Sequence, residues 1–369
     1  MKILKTLAVV FALLLLSPKS FAASYAESLR LLPVQDAGRL KPYDTFAREA
    51  LELIHGKAKF KGKPAIEVVT TWMVIPDSWD EIELIAVRHS GLRDALKLEN
   101  KRILYTATEL LKNERFPLVL QELRSKRQEG EKLNPYFQAV QLLENQLSLY
   151  QAIKMGVAIR VVPQADKDAW LAASELQEPH KQKFAEILSE FVKSLNAGVE
   201  GKGDSSALDK AVHEFIEMAR TAAPDKYASS AAISVEVNYN RIHPFMWAWI
   251  CYLLAAIGFV AFKVSEKDRW KKMGWGFFSL GMVLHVIGMA IRSYLAGRPP
   301  VSNMYETVVW VPFGVLLFSI FIYRMGKKVL VPLAACLVAI LCLILTDLAP
   351  SVLDDSIQPL EPRSEEHTS

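Results

Sequence analysis

The distribution of apolar residues divides the chain into a long mixed segment and a strongly apolar last third. In the mixed segment, apolar residues recur three and four positions apart, which is the period of a helix with one buried face. A run of small and polar residues over 196–206 indicates a flexible break, and Ile233–Tyr239 looks extended. The helices that this pattern predicts are Pro42–His55, Gly91–Asn113, Pro135–Met155, Pro179–Ala197 and Ser206–Ala222.

Four apolar runs in the last third are each about as long as a bilayer is thick, at a rise of about 1.5 Å per residue. We therefore expect an all-α membrane protein, in which polytopic membrane helices follow a mostly helical extracytoplasmic domain. The predicted spans are Phe245–Phe262, Met273–Leu295, Thr307–Tyr323 and Val329–Leu348.

The N-terminus has the pattern of a secretory signal. Lys2 and Lys5 precede an apolar run, Leu7–Leu16, and small residues lead to an expected cleavage site after Ala22. An uncleaved N-terminal anchor is the alternative. Basic residues cluster at 263–272 and 324–328, between predicted spans, and the positive-inside rule assigns both connections to the cytoplasm. We therefore expect a multi-pass protein of the bacterial cytoplasmic (inner) membrane, with its large domain outside.

These signals predict five segments along the chain. They are a signal peptide or anchor over 1–22, an extracytoplasmic helical domain over 23–243, four transmembrane helices over 244–348, the start of an outer loop over 349–362, and a terminal stretch over 363–369.

Composition excludes several classes of protein. A chain that is 51% hydrophobic is neither disordered nor collagen-like. The net charge of +4 is not gathered into one basic patch, so we expect no nucleic-acid partner. The three cysteines lack CxxC spacing, which supports neither a zinc site nor a dithiol pair.

Two ionisable residues in the second predicted span stand out. His285 and Arg292 are seven positions apart and share one helical face. Because ionisable groups are costly in hydrocarbon, we expect this face to point to an interior site between helices. The alternative is that each of the two side chains has its own separate environment. In that case, His285 forms a hydrogen bond with a neighbouring helix, and the Arg292 side chain extends to the outer membrane–water interface.

The loop after this span is the most distinctive segment. Pro299 and Pro300 end the helix, and Asn303, Tyr305 and Glu306 place polar groups at the start of the third span. These groups either cap that helix or bind a ligand at the membrane surface. The sequence contains none of the common nucleotide-binding or hydrolase motifs, so no catalytic residue is predicted. The histidines of the mixed segment have no metal-ligand spacing.

These segments together resemble the CcsA/ResC-type cytochrome c biogenesis proteins, the heme-handling membrane proteins of the system II cytochrome c synthetase. The resemblance extends over 24–362. The strings that carry it are His285…Arg292…Gly297-Arg298-Pro299-Pro300…Asn303-Met304-Tyr305-Glu306, Leu31–Arg48 and Val237–Phe245.

The resemblance implies a function in cytochrome c biogenesis. Family members bind heme in the membrane and present it outside to apocytochrome c, together with a ResB/CcsB-type membrane partner. A full-length member would form part of a synthetase, and a shortened chain is expected to be inactive alone. The implied cofactor-binding residues are His285, as a functional membrane histidine, and Arg292, Asn303, Tyr305 and Glu306, which hold the site's shape or a heme propionate.

The chain departs from this family at its end. None of its eight tryptophans lies in the family's tryptophan-rich signature, and 363–369 resembles a translated sequencing adaptor. We therefore expect a C-terminally truncated member whose terminal stretch is an artefact. Two other interpretations stay open. One is a heme-delivery protein of the other bacterial cytochrome c maturation pathway, and the second is a cofactor-free membrane-anchored sensing or scaffold module.

Overall fold

The computed structural model of the protein describes residues 27–130, 132–199, 205–227, 229–299, 301 and 303–348. The expected signal peptide at 1–22, the outer loop at 349–362 and the adaptor-like stretch at 363–369 lie outside the described residues. The described chain is mostly helical, which confirms the predicted fold class. It divides into two compact units, of which one ends at Ser234 and the other begins at Val235.

The N-terminal unit is built mainly from helices around one apolar core. Four of the five predicted helices are confirmed, and the core is formed by their apolar faces together with several short helices that the periodicity did not reveal. The helices are α1 (Glu27–Arg30), α2 (Tyr43–His55), α3 (Ala65–Val74), α4 (Pro76–Asp80), α5 (Ser90–Ala95), α6 (Ala107–Leu111), α7 (Phe116–Gln128), α8 (Pro135–Lys154), α9 (His180–Val199) and α10 (Ser206–Ala222).

The predicted helix Gly91–Asn113 is wrong, because the chain turns twice within it. Lys97 adopts a left-handed φ of 54°, which ends α5 soon after Ala95. A short strand at Leu104–Tyr105 follows and pairs with Ile85–Ala86. Thr106 then starts α6 through a capping box. Strand pairing between distant residues therefore overrides the helical spacing of the leucines.

Short strands accompany the helices of this unit. Two tight hairpins turn at Ala37-Gly38 and Lys61-Gly62, where all four residues have the positive φ that hairpin turns favour. One sheet has four antiparallel strands in the order β2-β1-β7-β8. The strands are β1 (Pro33–Asp36), β2 (Arg39–Pro42), β3 (Lys59–Phe60), β4 (Lys63–Pro64), β5 (Ile85–Ala86), β6 (Leu104–Tyr105), β7 (Arg160–Val162) and β8 (Leu171–Ala172).

The expectation of an extended segment at Ile233–Tyr239 is also wrong. These residues lie within a helix, α11 (Ser230–Ile242). Ile233 and Val237 are β-branched, which favours strands, but they are four residues apart and both buried. Packing of one helical face therefore overrides the local preference.

Four apolar helices follow: α12 (Pro244–Ser265), α13 (Asp268–Ala296), α14 (Met304–Gly326) and α15 (Leu330–Leu348). Among the described residues, three helical segments are long and apolar enough to cross a membrane, and they include α12, α13 and α14. The apolar part of α15 is described over Leu330–Thr346 and is shorter. The fourth span therefore stays a prediction.

Helices α12 and α13 pack through a repeated pairing of aromatic residues with glycines. Phe245, Tyr252 and Phe259 are seven residues apart on α12, and the glycines that face them on α13 have the same spacing. A Cβ added at Gly288, Gly281 or Gly274 would lie 2.8, 2.6 or 2.7 Å from these three rings, respectively. Because real Cβ atoms do not come this close, the glycines are what allow the two helices to pack around the rings.

The remaining helices complete this unit. Helix α15 packs against both α12 and α14, and α14 also meets α13. Large apolar side chains point outward from these helices, including Phe318, Phe321 and Leu341, all more than 60% exposed. Exposed apolar surface of this extent is typical of helices that contact lipid or other membrane segments.

Candidate functional site

His285 lies in the middle of α13 and is fully buried. Its Nε2 atom is 3.0 Å from the carbonyl oxygen of Val309 on α14. Since a carbonyl can only accept, Nε2 carries a proton and donates it. The Nδ1 atom is 3.2 Å from the Tyr252 hydroxyl on α12, and in the neutral ring it accepts from that hydroxyl. The histidine therefore joins three helices through hydrogen bonds.

The Val309 carbonyl accepts from His285 within a turn of α14 that contains Pro312. Proline has no N–H, and its ring crowds the preceding turn of a helix, which weakens the ladder of backbone hydrogen bonds there. In a membrane helix the carbonyls of such a turn need other donors, and side chains of neighbouring helices supply them. The carbonyl that loses its usual donor at Pro312 is that of Val308, and His285 bonds the next carbonyl of the same turn, that of Val309.

Aromatic rings enclose the imidazole. Phe245 of α12 meets it edge-on, with ring centroids 5.6 Å apart, and Phe313 of α14 lies 5.7 Å away. Tyr252 is held by Gly281, as described above. The dense packing keeps the ring in one orientation, so its two hydrogen bonds are fixed by the helices around it.

A second group of buried polar side chains lies one to two turns further along α13. The Arg292 guanidinium carbon is 4.3 Å from the centroid of the Tyr305 ring, which is a cation–π contact. Glu306 is 3% exposed, and its Oε1 atom is 3.9 Å from Nη2 of Arg298. The ion pair thus ties the loop to α14, and the cation–π contact joins α13 to α14.

Asn303 caps α14. Its side-chain oxygen accepts a hydrogen bond of 2.8 Å from the backbone N–H of Glu306, and its own backbone is extended, as in other N-caps. The capping arrangement considered for this loop is therefore present in the structure. Such a cap contributes about 1 kcal/mol to helix stability.

The five residues predicted from the sequence fall into two neighbouring groups. His285 lies in one group, and Arg292, Tyr305 and Glu306 lie in the other. Asn303 caps α14, the helix that carries Tyr305 and Glu306. The ring of Phe245 connects the groups, since its centroid is 5.6 Å from that of His285 and 6.5 Å from that of Tyr305.

Sequence reasoning missed three further contributors. Tyr252 bonds the histidine, Pro312 lies in the turn that the histidine bonds, and Arg298 pairs with Glu306. The aromatic residues of α12 and the glycines of α13 share a seven-residue spacing, and this pattern could have indicated that Tyr252 packs against α13. The proline inside the third predicted span could have indicated an irregular turn of α14, where His285 forms its hydrogen bond.

The arrangement around His285 does not fit a heme axial ligand. Such a ligand needs an imidazole nitrogen whose lone pair reaches the iron. Here Nε2 donates to Val309, Nδ1 is bonded to Tyr252, and the side chain has no exposed surface. The buried carboxylate of Glu306 already pairs with Arg298, where it would repel a propionate. Among the described residues there is no group of three or more histidines, cysteines or acids that could hold a metal ion.

Comparison with known proteins gives one informative similarity. No family model matches the chain. In an alignment of 307 residues that covers 78% of this chain, it is 22% identical to Protein NrfI of Wolinella succinogenes. The aligned region is 33% of that protein, so the chain spans about a third of the length of the curated relative that it matches.

Proposed function

We propose that this chain belongs to a membrane-bound cytochrome c maturation factor that handles heme. The observation that carries the proposal is the similarity to Protein NrfI over 78% of the chain, which supports a role in cytochrome c biogenesis. Helices long and apolar enough to cross a membrane are consistent with this role, because heme is apolar and has to pass or be held at a membrane before it meets a secreted apocytochrome.

The proposal includes an orientation. We place the chain in the bacterial cytoplasmic membrane with residues 263–272 and 324–328 inside, because both connections are rich in lysine and arginine. The helical N-terminal unit is then outside, on the side where apocytochrome c receives its heme. Apocytochrome c and a ResB/CcsB-type membrane protein are the proposed macromolecular partners, and the CcsA/ResC-type family is the proposed relationship.

In this proposal, the buried cluster around His285 holds together the helices of the membrane unit, which comprises α12 to α15. Its hydrogen bonds join α12, α13 and α14, and the ion pair of Glu306 with Arg298 ties the following loop to α14. The five residues expected to bind a cofactor therefore maintain the shape of the heme-handling region, and the geometry assigns none of them as an iron ligand.

A gene deletion tests the proposed function. In the organism that carries this gene, we expect the deletion to remove the heme-stained bands of c-type cytochromes from a membrane fraction while the b-type cytochromes remain. The intact gene supplied in trans should restore the bands. Unchanged c-type cytochromes in the deletion strain would refute the proposal.

A further inference from the structure

The two connections of the membrane unit that are rich in lysine and arginine lie at the same end of its helices. Residues 263–272 lead from α12 into α13, and residues 324–328 lead from α14 toward α15. The centroid of the Trp275 ring on α13 is 4.7 Å from that of Tyr323 on α14 and 5.5 Å from that of Phe259 on α12. These contacts bring the final turns of α12 and α14 beside the first turns of α13. Residues 263–272 and 324–328 therefore form one basic end of the unit.

The positive charge of the basic end is not balanced within the described chain. The two connections contain eight lysines and arginines but only two acidic residues, Glu266 and Asp268. Seven of the eight basic side chains are exposed, and in the part of the chain that the structure describes none of the eight forms an ion pair with a carboxylate. In the N-terminal unit, by contrast, Lys41, Arg102 and Lys183 all pair with glutamates. The basic end therefore has charge available for an external anion.

Both connections are short and begin with the same turn. Glu266 and Lys327, the first residues after α12 and α14, have left-handed φ angles of 54° and 51°. Their backbone N–H groups donate to the carbonyls of Phe262 and Tyr323, at 2.8 and 2.7 Å. Only two residues separate α12 from α13, and three separate α14 from α15. The basic residues are therefore held at the ends of the helices.

Aromatic rings fix the positions of three of these cations. Their charged groups lie 5.3 to 5.9 Å from the ring centres, in the pairs Lys271 over Phe262, Arg269 over Trp270 and Lys327 over Tyr323. Tryptophan and tyrosine are enriched where membrane helices meet the lipid headgroups. The positive-inside rule needs only the charge of a connection, whereas these contacts also determine where the charge lies.

Strongly exposed apolar side chains accompany the basic residues. Val264 follows Lys263 and is 83% exposed, and Met325 follows Arg324 and is 76% exposed. A surface with apolar side chains beside unpaired cations suits a molecule that has both acyl chains and an anionic headgroup. A soluble anion would contact the cations alone.

From this arrangement we propose that the basic end binds the headgroup of an anionic phospholipid. The lipid phosphate contacts lysines and arginines of both connections, and the acyl chains lie along α12 and α14. Clusters of basic residues at the ends of membrane helices attract such headgroups. The proposal needs these helices to lie in a membrane, but it does not depend on the role in cytochrome c maturation.

Native mass spectrometry of the whole chain in detergent tests this proposal. The probes are phosphatidylglycerol and, as the neutral lipid, phosphatidylcholine with the same acyl chains. We expect an apparent dissociation constant that is lower by roughly tenfold or more for phosphatidylglycerol. A triple variant, Lys267→Gln with Lys272→Gln and Lys328→Gln, should weaken phosphatidylglycerol binding by roughly tenfold or more and leave phosphatidylcholine binding unchanged. These three lysines are exposed and make none of the ring contacts described above.

Two control variants separate charge at this site from charge in general. Arginine at the same three positions keeps the charge and should keep the affinity. The matched control replaces three exposed lysines of the N-terminal unit with glutamine, at Lys112, Lys132 and Lys181, and should bind like the wild type. Equal affinity of the wild type for the two lipids would overturn the site, and so would an equal loss in the matched control. Glycerol phosphate, which lacks acyl chains, should not displace the lipid at equal concentration, and displacement would contradict a lipid site.

A measurement on the wild type keeps the test decisive if the triple variant fails to fold, as judged by circular dichroism. A ligand that binds the folded state raises the melting temperature, so phosphatidylglycerol should raise it more than phosphatidylcholine does. This difference should disappear between about 0.1 M and about 1 M salt, where the Debye length falls from about 10 Å to about 3 Å. A difference that persists at high salt would refute the site. If the deletion strain lacks c-type cytochromes but the two lipids bind equally, this site is refuted and the proposed function stands.

Discussion

At the scale of single residues, the membrane helices contain buried polar groups that have to find hydrogen-bond partners in an apolar surrounding. His285 is fully buried, and both of its ring nitrogens are bonded to other helices. A buried polar atom left without a partner costs about 1–3 kcal/mol. Loss of either partner should therefore be visible in the stability of the membrane unit.

Replacement of Tyr252 by phenylalanine tests this point. The change keeps the ring and removes the hydroxyl that bonds Nδ1 of His285. We expect the free energy of unfolding to fall by about 1–3 kcal/mol, because Nδ1 then has no donor. Thermal unfolding in detergent measures it. Tyr294→Phe is the control, since Tyr294 lies on the same unit and is 60% exposed. Equal melting temperatures for the two variants would contradict the role of the hydrogen bond.

The residues of the site could be predicted only in part. His285, Arg292 and the loop residues were found from the sequence because ionisable groups are rare in apolar runs. Their partners were not found, since Tyr252 resembles any other interfacial aromatic residue until its pairing with Gly281 is known. The roles of these residues could not be predicted either. Whether a histidine binds iron or joins helices depends on the partners of both ring nitrogens, and the sequence does not show those partners.

At the scale of elements, close packing sets the geometry of the membrane unit. Gly281→Ala places a Cβ 2.6 Å from the Tyr252 ring, so the ring or the helix has to move. We expect destabilisation of about 1–3 kcal/mol, as for other overpacked cores. The matched control is Gly314→Ala on α14, where an added Cβ has nothing within 4 Å. Its stability should be unchanged or slightly higher, and an equal loss in both variants would refute the close pairing.

The start of α6 gives a prediction about pH. Burial tends to raise the pKa of Glu109, but hydrogen bonds from the Thr106 backbone and from Arg102 outweigh it and hold the pKa below 4.5. A carboxyl whose pKa is lowered in the folded state contributes stability above 4.5, and the contribution is lost as the pH falls through the folded value.

Glu109→Gln should therefore unfold with a weaker dependence on pH than the wild type below about pH 4.5. Urea unfolding at a series of acidic pH values measures the difference. Glu114→Gln, an exposed glutamate close by, serves as the control and should follow the wild type. Parallel curves for Glu109→Gln and the wild type would show that the carboxylate does not act as a cap.

Elements with a long, regular apolar period could be predicted from the sequence. Helices α2, α8, α9 and α10 were found because their buried faces repeat over several turns. The segment 91–113 was not predicted correctly, since Leu104–Tyr105 pairs with Ile85–Ala86. Pairing between distant residues produces no local period of apolar positions in the sequence. The short strands were missed for the same reason, because each has only two to four residues.

At the scale of the whole molecule, the chain combines two compact units whose surfaces differ. One unit has a core of helices and short strands, and the other exposes large apolar side chains around a buried polar frame. The orientation that we propose, with the helical unit outside the membrane and the apolar helices within it, would suit a protein that holds an apolar cofactor. The similarity to Protein NrfI supports a role in cytochrome c biogenesis.

The most direct test of this account is the covalent state of a reporter c-type cytochrome. Its intact mass is measured in the deletion strain and in the same strain that carries the complete gene. We expect the reporter polypeptide without heme in the deletion strain and with thioether-linked heme in the complemented strain. A reporter that carries its full complement of heme in the deletion strain would contradict the proposed role in cytochrome c maturation.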